Sequence, residues 1–249
     1  MVLKRFCNSF DAMIAYSHKA ARDYVHLGVP KDRVFVAPNS VANGTDKQIE
    51  SETCGEAEVT DQWKRAHGLG GKPIVFFVGR IQRRKRIDDL IRACAPIADR
   101  CHLMLVGDGP DRPRLEEFAK TILPETVFMG HQSGEELARC FSAGDLFVMP
   151  GLGGLALHEA MAHGKAVICT SGDGTEVDLV RNGQNGFRVH TGDITSLTNQ
   201  IEAAVKNPNR LLDMGRASQQ VVAHEHNMRQ MVDGFLAAVT YALERHSLK

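Results

Sequence analysis

The chain has 249 residues, of which 43% are hydrophobic and 24% are charged, and both fractions are typical of a folded domain with a sizeable core. The 30 basic residues balance the 30 acidic ones, and this formal net charge of zero argues against a general nucleic-acid binder or membrane-surface binder. No run of about 18 apolar residues occurs and the N-terminus lacks the apolar core of a signal peptide, so we expect neither a transmembrane segment nor export.

The first 72 residues differ from the rest, because a polar stretch interrupts their apolar pattern. The elements predicted there are strands at 12–16 and 34–37, a helix near 18–27, a linker from about 39 to 58 and a short helix at about 60–67. Thr60 or Asp61 is the predicted N-cap of that short helix.

From residue 73 onward, short apolar segments alternate with helical patterns. The predicted strands are 74–78, 103–106, 127–129, 146–149, 166–169 and 187–189. The predicted helices lie near 86–97, 111–122, 134–143, 153–163, 175–181 and 194–206, with a longer helical tail from about 209 to 246. The strands hardly alternate between apolar and polar residues, which is typical of strands buried on both faces. Repeated strand–helix units of this size predict an α/β fold with a doubly wound, mainly parallel sheet.

A basic run follows the first strand of this sheet, at the kind of strand end where ligands bind in open parallel sheets. It extends from Gly79 to Arg86 and includes Arg80 and Lys85. A solvated helix start would explain such a run. Cations at a helix start oppose the helix dipole, however, and a bound diphosphate would remove that cost.

The next two strands end in glycine loops. Gly107 and Gly109 let the backbone turn sharply, but Arg112 stands where the third glycine of a dinucleotide-binding fingerprint would fall. A purely structural turn therefore stays open as an interpretation. Gly130 and His131 precede another helix, where a planar base would fit against the turn; an exposed loop histidine is the alternative.

Residues 150–160 are the most informative segment, because an apolar strand there runs through small residues directly into a helix. The backbone N–H groups near Gly154 and Leu155 are predicted to be open to an anion. Glu159 shares a helical face with Leu155, and its side chain leans toward the helix start. Anion donors beside a carboxylate suit a nucleotide-sugar, which carries both phosphates and hydroxyls. A tight turn followed by a solvated glutamate is the alternative.

Several motifs together resemble the C-terminal, donor-binding half of retaining glycosyltransferases with the GT-B fold, in glycosyltransferase family 4. These motifs are Gly79-Arg80 with Lys85, the segment 87–93, the loop 105–110, the segment 154–167 and Asn185-Gly186-Phe187. They follow the order and spacing of the family's sequence blocks and are spread over most of the chain. The resemblance implies a Rossmann-like domain that binds a nucleotide-sugar.

The resemblance also implies roles for individual residues around the donor's diphosphate. Arg80 and Lys85 would hold the diphosphate, and backbone N–H groups at Gly154 and Leu155 would complete the cradle. Breaking the bond between sugar and phosphate builds negative charge on the departing nucleotide diphosphate, and fixed cations with helix-start dipoles stabilise that charge. We therefore expect neither a metal nor a cofactor.

For the nucleoside, the resemblance implies that Glu159 accepts hydrogen bonds from the ribose hydroxyls, while Gly130 and His131 face the base. The other glycines expected to bind the donor are Gly79, Gly107 and Gly151. Most family members have a glutamate, which contacts the transferred sugar, at the position of Gly151. This departure leaves the sugar and the turnover open. Arg86 replaces the glycine that usually follows the lysine, and we expect it only to enlarge the basic patch.

The domain organisation implied by the resemblance has four parts: residues 1–42 as a remnant of the N-terminal acceptor domain, 43–72 as linker and short helix, 73–226 as the nucleotide-sugar domain, and 227–249 as a crossover helix. Strands without their sheet expose unpaired backbone, so we expect residues 1–42 to pack on an acceptor-domain protein or a second copy. The apolar stripe of the last helix is predicted to face a core, and in the family this helix crosses toward the other domain.

Six cysteines without a Cys-x-x-Cys pair indicate reduced, mostly buried thiols in a cytoplasmic protein, either free or held at a membrane by a partner. Glu176 opens a predicted helix; it is either an N-terminal charge or, as the resemblance implies, a residue near the donor crevice. His158 is predicted to pack or be solvated, because it points about 100° around the helix from Glu159.

The preferred interpretation is the donor-binding part of a glycosyltransferase that transfers a sugar from a UDP- or GDP-type donor to a hydroxyl and is incomplete alone. A non-catalytic nucleotide-binding module is the main alternative. An epimerase or phosphorylase of the same architecture is a third. A redox enzyme is less favoured, because no carboxylate follows the 127–129 strand to bind a ribose diol.

Overall fold

The computed structural model of the protein describes residues 2–40, 54–172 and 174–247. Its N-terminal unit comprises α1 (Val2–Cys7), β1 (Met13–Ala15), α2 (His18–His26) and β2 (Val34–Val36). The two strands pair in parallel, with Met13 opposite Val34. Ser17 caps α2, because its hydroxyl accepts a hydrogen bond from the backbone N–H of Ala20 at 3.0 Å.

A sheet of six parallel strands follows, after helix α3 (Cys54–Ala66). Its strands are β3 (Ile74–Val78), β4 (His102–Val106), β5 (Val127–Gly130), β6 (Leu146–Met149), β7 (Ala166–Thr170) and β8 (Gly186–Val189). The helices along this part of the chain are α4 (Ile87–Cys94), α5 (Arg112–Ile122), α6 (Gly134–Ala143), α7 (Leu155–Ala162), α8 (Thr175–Leu179), α9 (Ile194–Val205) and α10 (Pro208–Glu225).

The strand order is β5-β4-β3-β6-β7-β8. The chain builds outward from β3 to β5 on one side and then returns to place β6 on the other side of β3. This is the doubly wound, Rossmann-like topology that the sequence predicts. The strand order reverses between β3 and β6, so the crevice at their carboxyl ends is where this architecture binds ligands.

The core explains why the sheet strands do not alternate in polarity. Every residue of β3, β4, β6 and β7 is buried, because helices cover both faces. At the centre, the ring of Phe76 lies 5.8 Å from that of Phe141 and 5.4 Å from that of Phe147, both edge to face. This packed core supports the main chain at the strand ends.

The last helix, α11 (Met228–Ser247), packs on the N-terminal unit. Its Gly234 approaches β2 so closely that a Cβ atom there would lie 2.2 Å from the carbonyl oxygen of Val36. Farther along, the Tyr241 hydroxyl donates to Asp32 Oδ2 at 2.7 Å, and its ring centroid lies 5.4 Å from that of Phe35. The two ends of the described chain therefore form one unit.

The predicted core-facing stripe of the last helix is wrong. Gly234 and the Tyr241 ring contact β2, and Ala238 is 2% exposed, whereas most of the large apolar side chains of the helix remain in solvent. The exposed large side chains of the helix are Met228, Val232, Phe235, Leu236, Val239 and Leu243. Helical spacing identifies an apolar face, but it does not reveal whether another element covers that face.

Two boundaries also differ from the prediction. Helix α3 begins at Cys54, so Thr60 and Asp61 lie inside it and neither is an N-cap; Asp61 instead pairs with Arg65. An exposed helix rich in acidic residues needs little apolar periodicity, and its sequence therefore resembles a linker. Residues 41–53 of the predicted linker lie outside the described residues. The predicted helical tail is two helices, which separate at His226 and Asn227.

Five cysteines are free thiols with buried side chains, as the sequence predicts, and the side chain of Cys54 lies outside the described positions. In the described part of the chain, no helix is long and apolar enough to cross a membrane.

Candidate functional site

Two loops meet at the point where the strand order reverses, one after β3 and one after β6. The backbone N–H of Leu152 donates to the carbonyl oxygen of Arg84 at 3.0 Å. A Cβ atom on Gly151 would lie 2.5 Å from that same oxygen and 2.6 Å from the carbonyl carbon of Lys85. The absence of a side chain at Gly151 is therefore what lets the basic loop and the glycine-rich loop lie backbone against backbone.

Lys85 joins these two loops. It closes a short 3-10 helix at Arg83–Lys85, its side chain is buried, and its ammonium donates to the carbonyl oxygens of Leu152 at 2.7 Å and Gly153 at 2.6 Å. The ammonium is also close to the start of α7, since a Cβ atom on Gly154 would lie 3.5 Å from Lys85 Nζ. The solvated-run alternative does not hold for Lys85, because its charge is directed into the crevice.

The start of α7 has the backbone geometry that an anion site needs. Gly154 occupies the N-cap position with φ 149° and ψ −176°, a conformation that glycine adopts without strain, and no side chain caps the helix there. Leu155, the first helical residue, is 40% exposed. The first N–H groups of α7 therefore have no intrahelical acceptor, and they carry the positive end of the helix dipole.

The other cations of the run differ from one another. Arg80 is exposed, and no acceptor within the described residues forms a hydrogen bond or an ion pair with it. Arg86 has a left-handed backbone, with φ 52° and ψ 39°, and its guanidinium binds Asp89 with Nε to Oδ2 at 2.6 Å. The expectation that Arg86 simply enlarges the basic patch is therefore wrong, because a neighbouring carboxylate neutralises its charge.

Three glycines form a row of bare backbone across the ends of β3, β4 and β5. Gly79, Gly107 and Gly130 have φ values of 149°, 131° and 69°. The N–H of Gly107 donates to the Gly130 carbonyl at 2.7 Å, and a Cβ atom on Gly107 would lie 1.9 Å from the carbonyl oxygen of Gly79. The three predicted glycines thus lie side by side at the ends of adjacent strands, on the side of β3 opposite to β6.

His131 lies exposed at the outer end of this row, as one of the two sequence interpretations predicted. Nearby, the Gly109 N–H and then the Arg112 guanidinium lower the pKa of the Asp108 carboxyl. Arg112 binds Asp108 at 3.0 Å and Glu116 at 2.7 Å, and its Nη1 would lie 3.1 Å from a Cβ atom on Gly130. These ion pairs hold the Arg112 guanidinium beside Gly130, at the outer end of the glycine row.

Glu159 is half-buried on α7, one turn beyond Leu155. Burial raises the pKa of its carboxyl. No donor in the described part of the chain forms a hydrogen bond with this carboxylate. A carboxylate that is partly removed from water and has no protein partner is suited to accept hydrogen bonds from a ligand's hydroxyls.

Two other residues considered in the sequence analysis, His158 and Glu176, are both buried. His158 is buried, its Nε2 lies 2.7 Å from the carbonyl oxygen of His226, and burial lowers its pKa, so it packs between helices as predicted. The sequence analysis left the role of Glu176 undecided.

Within the described residues no cluster of three or more His, Cys, Asp or Glu side chains could hold a metal ion.

A model of the family described as Glycosyl transferases group 1 matches residues 59–221. The chain belongs to this family. The match covers most of α3, the six-stranded sheet and most of α10, so the crevice between β3 and β6 lies within the matched region.

Curated relatives of this group 1 member include a D-inositol 3-phosphate glycosyltransferase of Gordonia bronchialis, which is 32% identical over 94% of this chain and 53% of its own length. A GDP-mannose-dependent alpha-mannosyltransferase of Mycobacterium tuberculosis is 31% identical over 74% of this chain and 45% of its own length. The chain thus spans about half the length of the curated relatives it matches.

Among solved structures, the group 1 chain resembles Anabaena HepE in complex with UDP, with a TM-score of 0.78 at 18% identity over 96% of this chain and 66% of that one. It also resembles the C-terminal domain of a group 1 glycosyl transferase, LpcC, from Francisella tularensis, with a TM-score of 0.60 at 19% identity over 68% of this chain and 93% of that one. At these identities the similarity shows the fold alone.

Proposed function

We propose that this chain is the donor-binding, C-terminal part of a retaining glycosyltransferase of family 4. It transfers a sugar from a UDP- or GDP-type donor to a hydroxyl acceptor, and transfer requires an acceptor domain beyond the remnant in residues 1–42. The observation that carries this proposal is the position of the Lys85 ammonium beside the start of α7. A fixed cation and a helix dipole converge there on one small volume.

The remaining parts of the donor follow from this anchor. Arg80 and Lys85 bind the diphosphate, and the free N–H groups at Gly154 and Leu155 bind its other oxygens. Arg80 offers a two-pronged guanidinium, whereas Lys85 acts as a point charge. Glu159 then accepts from the ribose hydroxyls. The base lies along the glycine row that ends at Gly130 and His131.

This arrangement suits cleavage of a sugar–phosphate bond without a metal. Negative charge grows on the leaving diphosphate, and in this proposal the Lys85 ammonium, the Arg80 guanidinium and the dipole of α7 stabilise it. Removal of one such donor costs roughly 3–4 kcal/mol in the transition state.

The N-terminal unit supports the need for a second domain. Among the described residues its strands form a two-stranded sheet, and large apolar side chains remain exposed on α1, in the α1–β1 loop and on α11. Examples are Phe6 at 60%, Phe10 at 44% and Leu236 at 59% exposure. We propose that an acceptor domain, or a second copy of this chain, covers these side chains.

Calorimetric titration of the chain with UDP and with GDP tests the proposal. We expect one of the two nucleotides to bind, and we expect Arg80→Ala combined with Lys85→Ala to abolish the heat. Because Lys85 also holds the glycine-rich loop, Arg80→Ala alone is included, and it leaves the loop contacts unchanged. A double variant that binds as tightly as wild type would show that the site is wrong.

A non-catalytic nucleotide-binding module is the second candidate. The observation in its favour is the contact of Gly151 with Arg84, which leaves no room for a carboxylate at the position where the resembled family has one. Donor hydrolysis and transfer, measured after an acceptor domain is supplied, separate the two. The glycosyltransferase predicts turnover, whereas the module predicts nucleotide binding without turnover.

A further inference from the structure

Glu176 is a buried carboxylate to which the proposed function gives no role. It is the second residue of α8 and only 5% exposed. Its Oε1 accepts from the backbone N–H of Gly172 at 3.0 Å, and its Oε2 accepts from that of Gly174 at 2.8 Å. Within the described residues no cation lies close enough to form an ion pair with it, so these two N–H groups are what compensate its burial.

The loop held by Glu176 supports the glycine-rich loop of the site. A Cβ atom on Gly172 would lie 2.9 Å from the backbone N of Gly153 and 3.6 Å from the Cα of Leu152. Leu152 and Gly153 are the residues whose carbonyl oxygens accept from Lys85. A continuous series of contacts therefore leads from the Glu176 carboxylate, through Gly172, to the ammonium in the crevice.

The same loop is held from the opposite side by the N-terminal unit. The side chain of Lys19, on α2, covers Gly174, because a Cβ atom there would lie 2.9 Å from Lys19 Cδ. The backbone N–H of His18 donates to Asp178 Oδ2 at 2.5 Å and so joins α2 to α8. Gly174 thus lies against α2 and Gly172 against the glycine-rich loop, and both of their N–H groups donate to Glu176.

We propose that Glu176 is a positioning residue for the diphosphate subsite. By accepting from Gly172 and Gly174 it fixes their loop, and the loop in turn holds Leu152, Gly153 and the first N–H groups of α7 in the geometry that receives phosphate oxygens. This inference rests on the proposed function. It predicts a selective effect, because the glycine row that receives the base lies across β3, β4 and β5, on the other side of the crevice from α8.

The test compares Glu176→Gln with wild type. The glutamine amide keeps the size of the side chain, but its NH₂ group faces a backbone N–H and can accept nothing from it. We expect affinity for UDP or GDP to fall roughly tenfold, the effect of about 1.4 kcal/mol, while affinity for uridine or guanosine stays unchanged. Glu176→Asp, which retains the charge on a shorter side chain, is expected to lose less than Glu176→Gln.

Asp145→Asn is the matched control. Asp145 Oδ2 accepts from the backbone N–H of Ile74 at 2.7 Å, so it is likewise a carboxylate that holds main chain, but it lies at the amino end of the sheet. We expect this control to lower thermal stability without changing the ratio of diphosphate to nucleoside affinity. A purely structural Glu176 would behave in the same way, and that result would overturn the inference.

Two further measurements keep the proposal testable if Glu176→Gln folds poorly. Gly172→Ala places a methyl group against Gly153 on an exposed loop, and it should reproduce the selective loss of diphosphate affinity. Amide exchange at residues 152–155 should be faster in either variant without any ligand, and unchanged exchange would overturn the inference. A wild-type chain that binds neither UDP nor GDP contradicts the proposed function itself, and the inference falls with it.

Discussion

The backbone of Gly151 packs against the carbonyl oxygen of Arg84. A Cβ atom on Gly151 would lie only 2.5 Å from that oxygen. The backbone N–H of Leu152 donates a hydrogen bond to the same oxygen, so this one carbonyl contacts two consecutive residues of the glycine-rich loop. A side chain at residue 151 would have to separate the basic loop from the glycine-rich loop. Residue 151 must therefore lack a side chain if this backbone contact between the two loops is to be kept.

The first prediction follows from this contact. We expect Gly151→Ala to lower the free energy of unfolding by about 1–3 kcal/mol, the usual cost of overpacking, and to weaken binding of UDP or GDP. Urea denaturation and calorimetry measure the two effects. Gly70→Ala is the control, because its nearest neighbour is the flexible side chain of Arg65 at 3.2 Å. Equal stability of the two variants would contradict the rigid contact.

The second prediction concerns the ribose hydroxyls. We expect Glu159→Ala to weaken UDP or GDP binding roughly tenfold, since a hydrogen bond to a charged group contributes about 1.5–3 kcal/mol. The matching 2′,3′-dideoxy nucleotide should bind the variant and wild type equally. Glu117→Ala, on the exposed face of α5, serves as the control. Equal loss for both nucleotides would show that Glu159 does not contact the ribose.

The pH dependence of binding follows from the same side chain. Burial raises the pKa of Glu159, so protonation begins at a higher pH than for an ordinary glutamate. The neutral acid is a weaker acceptor than the carboxylate. Ribonucleotide affinity should therefore fall as the pH is lowered through this raised pKa, and Glu159→Gln should remove that dependence.

The third prediction concerns acid stability. Burial, assisted by the charge of Lys165, lowers the pKa of His163 to about 4 from 6.5. Between these values the unfolded chain binds a proton that the folded chain does not, so acid favours unfolding. The free energy of unfolding should fall by about 2 kcal/mol between pH 7 and pH 5 because of this residue.

His163→Phe tests that contribution. The ring of His163 stacks on Phe141 at 4.7 Å, and phenylalanine can keep the contact without titrating. We expect a flatter stability profile below pH 6.5 in the variant. His131→Gln, at an exposed position, should leave the profile of wild type unchanged. His158 and His226 have pKa values that burial also lowers, and they are expected to supply the residual slope.

The fourth prediction weighs backbone strain against an ion pair. Arg86→Gly relieves a left-handed backbone that costs a side-chain-bearing residue about 1–2 kcal/mol. It also leaves Asp89, which is 7% exposed, without its guanidinium, and an unpaired buried charge costs about 3–5 kcal/mol. We therefore expect Arg86→Gly to lower the free energy of unfolding by about 2 kcal/mol.

A double-mutant cycle checks this balance by urea denaturation. Adding Asp89→Ala to Arg86→Gly should restore stability, because no buried carboxylate then remains unpaired. A single Arg86→Gly variant that is more stable than wild type would show that strain outweighs the ion pair.

The sequence predicted the sheet well because most of its strands are short, almost entirely apolar segments; β8, which contains Arg188, is the exception. The candidate site was predicted from the strand ends, the segment 150–160 and the family resemblance, and the doubly wound sheet brings the loops after β3 and β6 together. The burial of Lys85 was not predictable, because a run of five cations in seven residues does not show which one turns inward. The burial and the hydrogen bonds of Glu176 were equally hidden, because its partners are backbone N–H groups that leave no trace in the sequence.

The last helix shows the limit of apolar periodicity. The pattern from Met228 to Leu243 correctly predicts a helix with one apolar face, but the contact surface is set by Gly234 and Ala238, the small residues that permit close approach. Whether the larger residues are covered depends on other segments, about which the helical pattern carries no information.

The return of α11 to the N-terminal strands sets an order of events during synthesis. Asp32 and Tyr241, which bond to each other, are separated by 209 positions. The six-stranded domain can fold as soon as α10 leaves the ribosome, whereas β1 and β2 remain without their covering helix until α11 has also been synthesised. For that interval the nascent chain presents a bare apolar surface, and this is the stage at which a chaperone would be most useful to it.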